Sequence, residues 1–203
     1  MRRSLALGGL LLIAFLLLGA VVSGPAPGID EFLANSVGAD YQGTAGRIAY
    51  GISLVLGPVL PGITALALIV AALVVRGRDP RLMGVLLRCV LLLAACRAVS
   101  LVKPYFHRVR PRDYPDFSYP SGHVVSVASV AFTAVVLCAW VAREWLRTVV
   151  IVAAAAVALI ALCRMLLDVH WFTDVVGGTV GVVAVGLLAG CALRLLPAGR
   201  PTA

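Results

Sequence analysis

Apolar residues in this chain fall in long unbroken runs instead of alternating with polar ones, and short polar connections separate them. The runs are Leu5 to Val22, Ile48 to Val75, Leu82 to Val102, Val124 to Val141, Val149 to Leu167 and Val175 to Leu196. A helix needs about 20 mostly apolar residues to cross a bilayer, so each run predicts a spanning helix and the set predicts an all-α bundle of six. The first run follows Met1-Arg2-Arg3 in the manner of a signal peptide. Its apolar core exceeds the usual ~7 to 15 residues and no clean small-x-small cleavage site follows, which favours an uncleaved anchor. The second run is over-long and carries Pro58 and Pro61. Each removes a backbone donor, so a kinked or tilted helix is expected. There is no repeat, low-complexity tract or linker, and residues 1–203 read as a single integral membrane domain ending in a frayed tail from Pro197 to Ala203.

The charges between the runs predict an orientation. With the N-terminus inside, Arg2, Arg3, Arg76, Arg78, Arg81, Arg143, Arg147, Arg194 and Arg200 lie on the cytoplasmic side, as the positive-inside rule prefers. Both termini are then cytoplasmic. The opposite face receives the loop from Ser23 to Gly46 with Asp30, Glu31 and Asp40, the loop after Lys103, and the turn around His170.

Composition agrees: 62% of residues are hydrophobic, 13% are charged, and the mean hydropathy is +1.04, outside the range of a soluble domain. The net charge of +8 does not indicate nucleic acid, because the basic residues are spread over loops with no aromatic-basic module among them. Anionic lipid is the simpler partner. Cys89, Cys96, Cys138, Cys163 and Cys191 all lie in apolar runs without paired spacing, and read as small buried hydrophobes. Three arginines fall inside predicted helices, where a charge costs at least ~2.5 kcal/mol unless it snorkels or finds a partner. Arg88 is near the cytoplasmic end and can snorkel. Arg97 supports a site or pairs within the bundle, and Arg164 is set for a helical ion pair with Asp168 or for an anion.

One polar segment does not read as a simple connection. Between Lys103 and His123, in KPYFHRVRPRDYPDFSYPSGH, stand Lys103, His107, Arg108, Arg110, Arg112 and His123, a density of positive charge that predicts an anionic occupant. Its end, Pro120-Ser121-Gly122-His123, runs straight into an apolar helix, where free backbone N–H groups and the helix dipole favour a phosphate. Tyr105, Phe106, Tyr114, Phe117 and Tyr119 crowd the same segment and suggest anchoring at headgroup level. About forty residues on, CRMLLDVHWFTD supplies Arg164, His170 and Asp174. A lone membrane histidine is often a helix-packing residue. His170 and Asp174, four apart, have ligand spacing for a metal or the spacing of a carboxylate-oriented imidazole. No further ligand is well placed and the cationic neighbours repel a metal ion, so no metal or other cofactor is expected.

Taken together, Lys103, Arg110 and Pro111; then Pro120, Ser121, Gly122 and His123; then Arg164, His170 and Asp174 form a three-part pattern. It resembles the type 2 phosphatidic acid phosphatase family, whose signature is shared with glucose-6-phosphatase and the vanadium-dependent haloperoxidases. The resemblance covers the C-terminal half. Many members carry Ser where this chain has Cys163. The resemblance implies a metal-independent phosphatase in which His170 is the nucleophile and forms a phosphohistidine, Asp174 orients it, and His123 protonates the leaving group. Lys103, Arg110 and Arg164, with backbone N–H groups of Ser121, Gly122 and His123, would bind the phosphate. The expected substrate is a lipid phosphate at the extracytoplasmic face of a bacterial plasma membrane: a polyprenyl diphosphate, phosphatidylglycerol phosphate or phosphatidic acid. A phosphotransferase using the same histidine and an inactive lipid-phosphate transporter are the alternatives; the presence of both histidines argues against the latter.

Overall fold

The computed structural model describes residues 1–37 and 41–196. The charges Asp40 and Arg200 and the expected tail from Pro197 to Ala203 lie outside the described residues. All the regular structure described is helical, and six helical spans are long and apolar enough to cross a membrane. The first is α1 (Arg2–Val22). The second is built from α3 (Thr44–Val55) and α4 (Leu60–Val75). The third runs through α5 (Pro80–Arg97), a 3₁₀ turn (Ala98–Val102) and the short α6 (Lys103–Phe106). The remaining three are centred on α7 (Gly122–Val141), α8 (Leu146–Leu166) and α9 (Phe172–Ala192). Each corresponds to a run predicted above, with ends displaced by a few residues.

Two features depart from the predicted picture. The loop expected from Ser23 to Gly46 contains a helix, α2 (Gly28–Val37), with Asp30 and Glu31 in its first turn, where acidic side chains complement the dipole. The second span is interrupted instead of bent: Leu56 to Val59 leave the helix, because Pro58 cannot donate to the preceding turn and its ring displaces the carbonyl there. Pro61, by contrast, sits in the first turn of α4, where a missing N–H costs nothing.

The core lies where α9 packs against α1, α5 and α7. Close approach is possible because α9 carries glycines on its buried face: a methyl group at Gly177 would lie 2.3 Å from the Tyr119 ring and one at Gly181 2.8 Å from Val99. Small residues allow such approach where hydrocarbon solvent provides no hydrophobic drive between helices. Tyr119 is fully buried, stacked on Phe15 and donates its hydroxyl to the Phe15 carbonyl at 2.6 Å. It is therefore a packing residue tying α1 to the segment before α7, and not the interfacial anchor its setting suggested. Tyr105, at 83% exposed, keeps the surface position. Arg88 is satisfied by carbonyls, donating to Gly84 O at 2.9 Å and to Leu193 O at 3.4 Å. All five cysteines are buried free thiols.

Candidate active site

The segment between α6 and α7, the turn between α8 and α9, and α2 meet at one end of the bundle, and their charged side chains converge. The turn after α8 reverses through Asp168, whose φ of 52° is a left-handed conformation that Asp tolerates better than most residues. His170 follows, two residues before α9 begins at Phe172. The histidine and Asp174 therefore meet across the helix start. Asp174 Oδ2 accepts from Trp171 N at 2.9 Å, capping the helix, and lies 3.3 Å from His170 Nδ1. The other ring nitrogen, Nε2, lies 3.1 Å from Arg110 Nη1. A guanidinium only donates, so Nε2 presents its lone pair and Nδ1 carries the proton toward Asp174.

Around this imidazole is a cavity of about 280 Å³, lined among others by Arg97, Lys103, Arg110, His123, Arg164 and His170. Gly122 and Tyr114 complete much of the wall. Of the residues the sequence assigned to a site, Lys103, Arg110, Gly122, His123, Arg164 and His170 are thus brought together, with Asp174 immediately behind His170. Arg110 is held from several sides, donating Nη1 to Val169 O at 2.7 Å and Nε to Asp116 O at 2.6 Å, with its guanidinium 4.3 Å over the Tyr114 ring. His123 occupies the first turn of α7. Beside it runs the interrupted backbone of the second span: Pro58 lines the cavity, and a methyl at Gly57 would lie 3.7 Å from His123 Nε2. Irregular backbone at membrane depth is tolerated where it borders such a cavity.

Ser121 takes a different place from the one expected. It is fully buried, its N–H donates to Asp174 O at 3.1 Å, and its carbonyl accepts from Val125. Its backbone donor is therefore committed to joining α7 to α9, which leaves Gly122 and His123 as the helix-start donors beside the cavity. Arg164 has no ion pair with Asp168, since the side-chain pairs within 4 Å among the described residues do not include it. It is buried, with Nε lacking a hydrogen-bond partner, and its side chain turns to the cavity instead. His107 stays in the loop with its ring edge-on to Phe117.

Two residues enter the site that the sequence did not place there, Asp116 and Asp30, and a third, Arg108, takes a role other than the one expected. Asp116 accepts from Lys103 Nζ at 2.8 Å and lies 3.4 Å from Arg110 Nη2. Partial burial opposes its ionisation, but the hydrogen bond and charge of Lys103 and the charge of Arg110 outweigh this and hold its carboxyl below the usual range. Arg108, a candidate for phosphate contact by its position, faces the other way. It is buried, with Nη1 2.5 Å from Asp174 Oδ1 and Nη2 2.6 Å from Asp30 Oδ2. Asp30, on α2, also accepts from Thr173 N at 2.9 Å and Thr173 Oγ1 at 2.6 Å, so it caps α9 from a distant segment. A continuous chain Asp30–Arg108–Asp174–His170 results. Nothing in the sequence marked Asp30 for it, and Arg108 lies two residues from a motif position.

Electrostatics favour the neutral imidazole. Burial first, then the charges of Arg110, Arg164, Lys103 and His123, lower the His170 pKa well below the ordinary histidine value. Among the described residues no three His, Cys, Asp or Glu side chains converge as metal ligands, and the free atoms of the His170–Asp174 pair face guanidinium groups.

A polytopic helical membrane protein with a cationic cavity around a buried His–Asp pair is the class these features define. Residues 82–196 match the family model of the PAP2 superfamily, and the chain belongs to that superfamily. No curated protein matches the chain. Among solved structures, the fold is similar to that of a transmembrane PAP2-type phosphatidylglycerolphosphate phosphatase from Bacillus subtilis. The TM-score is 0.74 and the identity 21%, with 95% of this chain and 98% of that chain covered.

Proposed function

We propose that this protein is a membrane lipid phosphatase that hydrolyses a phosphomonoester or diphosphate of a lipid through a phosphohistidine at His170. The observation that carries this reading is the imidazole itself: Nδ1 is tied to Asp174, and Nε2 opens on a cavity walled by Lys103, Arg110 and Arg164. Phosphoryl transfer asks for a nucleophile in line, positive charge on the non-bridging oxygens and a proton for the leaving oxygen. His170 Nε2 attacks phosphorus in place of its contact with Arg110, whose guanidinium then turns to the phosphate oxygens. Lys103, Arg164 and the N–H groups at the start of α7 bind the remaining oxygens. His123 stands across the cavity as the acid for the departing alkoxide, and then as the base for the water that cleaves the phosphohistidine. Asp174 holds the tautomer and stabilises the cation that forms on the ring. These steps use this chain's own cations and need no metal.

The reading places the cavity on the extracytoplasmic face of a bacterial plasma membrane, with polyprenyl diphosphates, phosphatidylglycerol phosphate and phosphatidic acid as candidate substrates. Its test is orthophosphate release by the purified protein across a panel of these lipids and their water-soluble headgroup analogues. Turnover of at least one lipid phosphate, in chelator, is expected. Transfer to a lipid acceptor without orthophosphate release identifies a phosphotransferase, and inertness toward the whole panel contradicts the proposal.

A further inference from the structure

Arg97, Ser100 and Lys103 stand three residues apart, and the chain tightens from α5 into the 3₁₀ turn Ala98–Val102 over that interval. With three residues per turn, positions i, i+3 and i+6 eclipse one another, so the tightening sets these side chains in one row. In an unbroken α-helix Lys103 would point about a third of a turn away from Arg97. All three line the cavity that holds His123 and His170. A helical arginine ordinarily leans toward the N-terminus of its helix. Arg97 instead donates to the Ser100 hydroxyl, toward the C-terminus, which turns its guanidinium toward the reaction centre. Among the described residues no carboxylate lies within ion-pair distance of Arg97, whereas Lys103, Arg108 and Arg110 each have one. Arg88 is satisfied by two carbonyls, whereas the hydrogen bond of the Arg97 side chain goes to Ser100, which leaves its charge open to an anion in the cavity.

We infer that Arg97 and Ser100 form a second phosphoryl subsite, on the membrane side of the reaction centre, which takes the inner phosphate of a lipid diphosphate. Lys103, Arg110 and Arg164 then hold the outer phosphate at His170. The inference rests on the lipid phosphatase reading and narrows its substrate class. It fits the direction in which a lipid must lie: the hydrocarbon chain leaves into the bilayer, so the inner phosphate sits deeper than the outer one, as Arg97 sits deeper in its span than Lys103. In the first step a bond forms from Nε2 to the outer phosphorus and the bond from that phosphorus to the bridging oxygen breaks. The electron pair stays on the bridging oxygen, which leaves as part of a lipid monophosphate with its added charge facing Arg97. Water then attacks the phosphohistidine and the P–N pair returns to the imidazole. One water proton remains on orthophosphate and the other is released, by way of His123 or directly to solvent, so the balance is lipid diphosphate plus water to lipid monophosphate, orthophosphate and a proton. Arg97 thus meets charge that grows in the transition state.

The test compares a prenyl diphosphate with the prenyl monophosphate of the same chain length on the purified full-length protein. Arg97→Gln should lose about ten- to a hundredfold more kcat/KM on the diphosphate than on the monophosphate, Arg97→Lys should recover part of the difference, and Ser100→Ala should shift it in the same sense by less. The monophosphate rate corrects for any loss of folded protein. In a His170→Ala background, equilibrium binding of the radiolabelled lipids should show Arg97→Gln weakening the diphosphate about tenfold or more beyond the monophosphate. Equal losses on both lipids overturn the subsite even if both are hydrolysed. Selective loss of diphosphate binding in a protein that hydrolyses neither lipid upholds the subsite and overturns the phosphatase reading instead.

Discussion

Four donors share the Asp174 carboxylate: Arg108 Nη1, Ser118 Oγ, His170 Nδ1 and Trp171 N. A buried carboxylate has about four lone-pair positions, so this one is saturated and the imidazole it holds has little freedom to turn. The Asp30–Arg108 pair fixes the geometry from behind. Asp30→Asn should therefore lower kcat about tenfold with a smaller change in KM, because Arg108 is released from one side and the tilt of Asp174 relaxes. Steady-state kinetics corrected for folded protein check this, and a change confined to KM would contradict the positioning role. The pH profile follows from His170. In the proposed mechanism the neutral ring attacks, and its pKa is lowered in the folded protein, so the neutral form persists as pH falls past the ordinary value of about 6.5. The acidic limb of kcat/KM that reports the free enzyme's nucleophile should lie below that pH, and a limb at or above it would contradict the assignment. Most of the lining of the candidate site was legible in the sequence because Lys103, Arg110, His123, Arg164 and His170 lie in short segments with fixed spacing. Asp30 was not, since a pairing between residues 78 positions apart leaves no periodic or local trace. Asp116 was hidden among cations that outnumber it, although its carboxylate is what holds Lys103 in place.

At the scale of the elements, hydropathy carried the existence of all six spans but neither their ends nor the short helix between the first two. The runs mark where side chains are apolar, whereas the helices begin and end where caps and turns allow. A 10-residue helix such as α2, bracketed by Gly and Pro, has no long apolar run to announce it. Proline did signal trouble in the second span, yet whether the chain kinks or breaks depends on what lies beside it, here the His123 cavity. The same applies to α9, whose glycines are uninformative until Tyr119 is seen against Gly177. Gly177→Ala should cost about 1–3 kcal/mol of stability, since the ring it would strike is locked by Phe15 and has no room to give. Thermal unfolding in detergent checks this, and a variant as stable as the wild type would contradict the packing account. Activity should fall with it, because Tyr119 leads directly into the Pro120-Ser121-Gly122-His123 turn.

For the whole molecule, the proposed sidedness places three connections together at the extracytoplasmic end: the α2 region, the Lys103 to His123 segment and the His170 turn. Their convergence is a property of the fold, and their side of the membrane is the part open to a direct test. In a background lacking the native cysteines, a cysteine at exposed position 115 should react with a membrane-impermeant reagent from outside, and one at exposed position 79 only from inside. The reverse pattern would contradict the orientation. The central claim is that one buried imidazole receives the phosphoryl group, and the most direct measurement is orthophosphate release from a lipid phosphate by His170→Ala. Thermal unfolding of the same preparation should show that the variant remains folded. The account predicts a loss of at least about 10³-fold, as for removal of a nucleophile from a working triad. A folded His170→Ala protein that released orthophosphate at a rate near that of the wild type would contradict it.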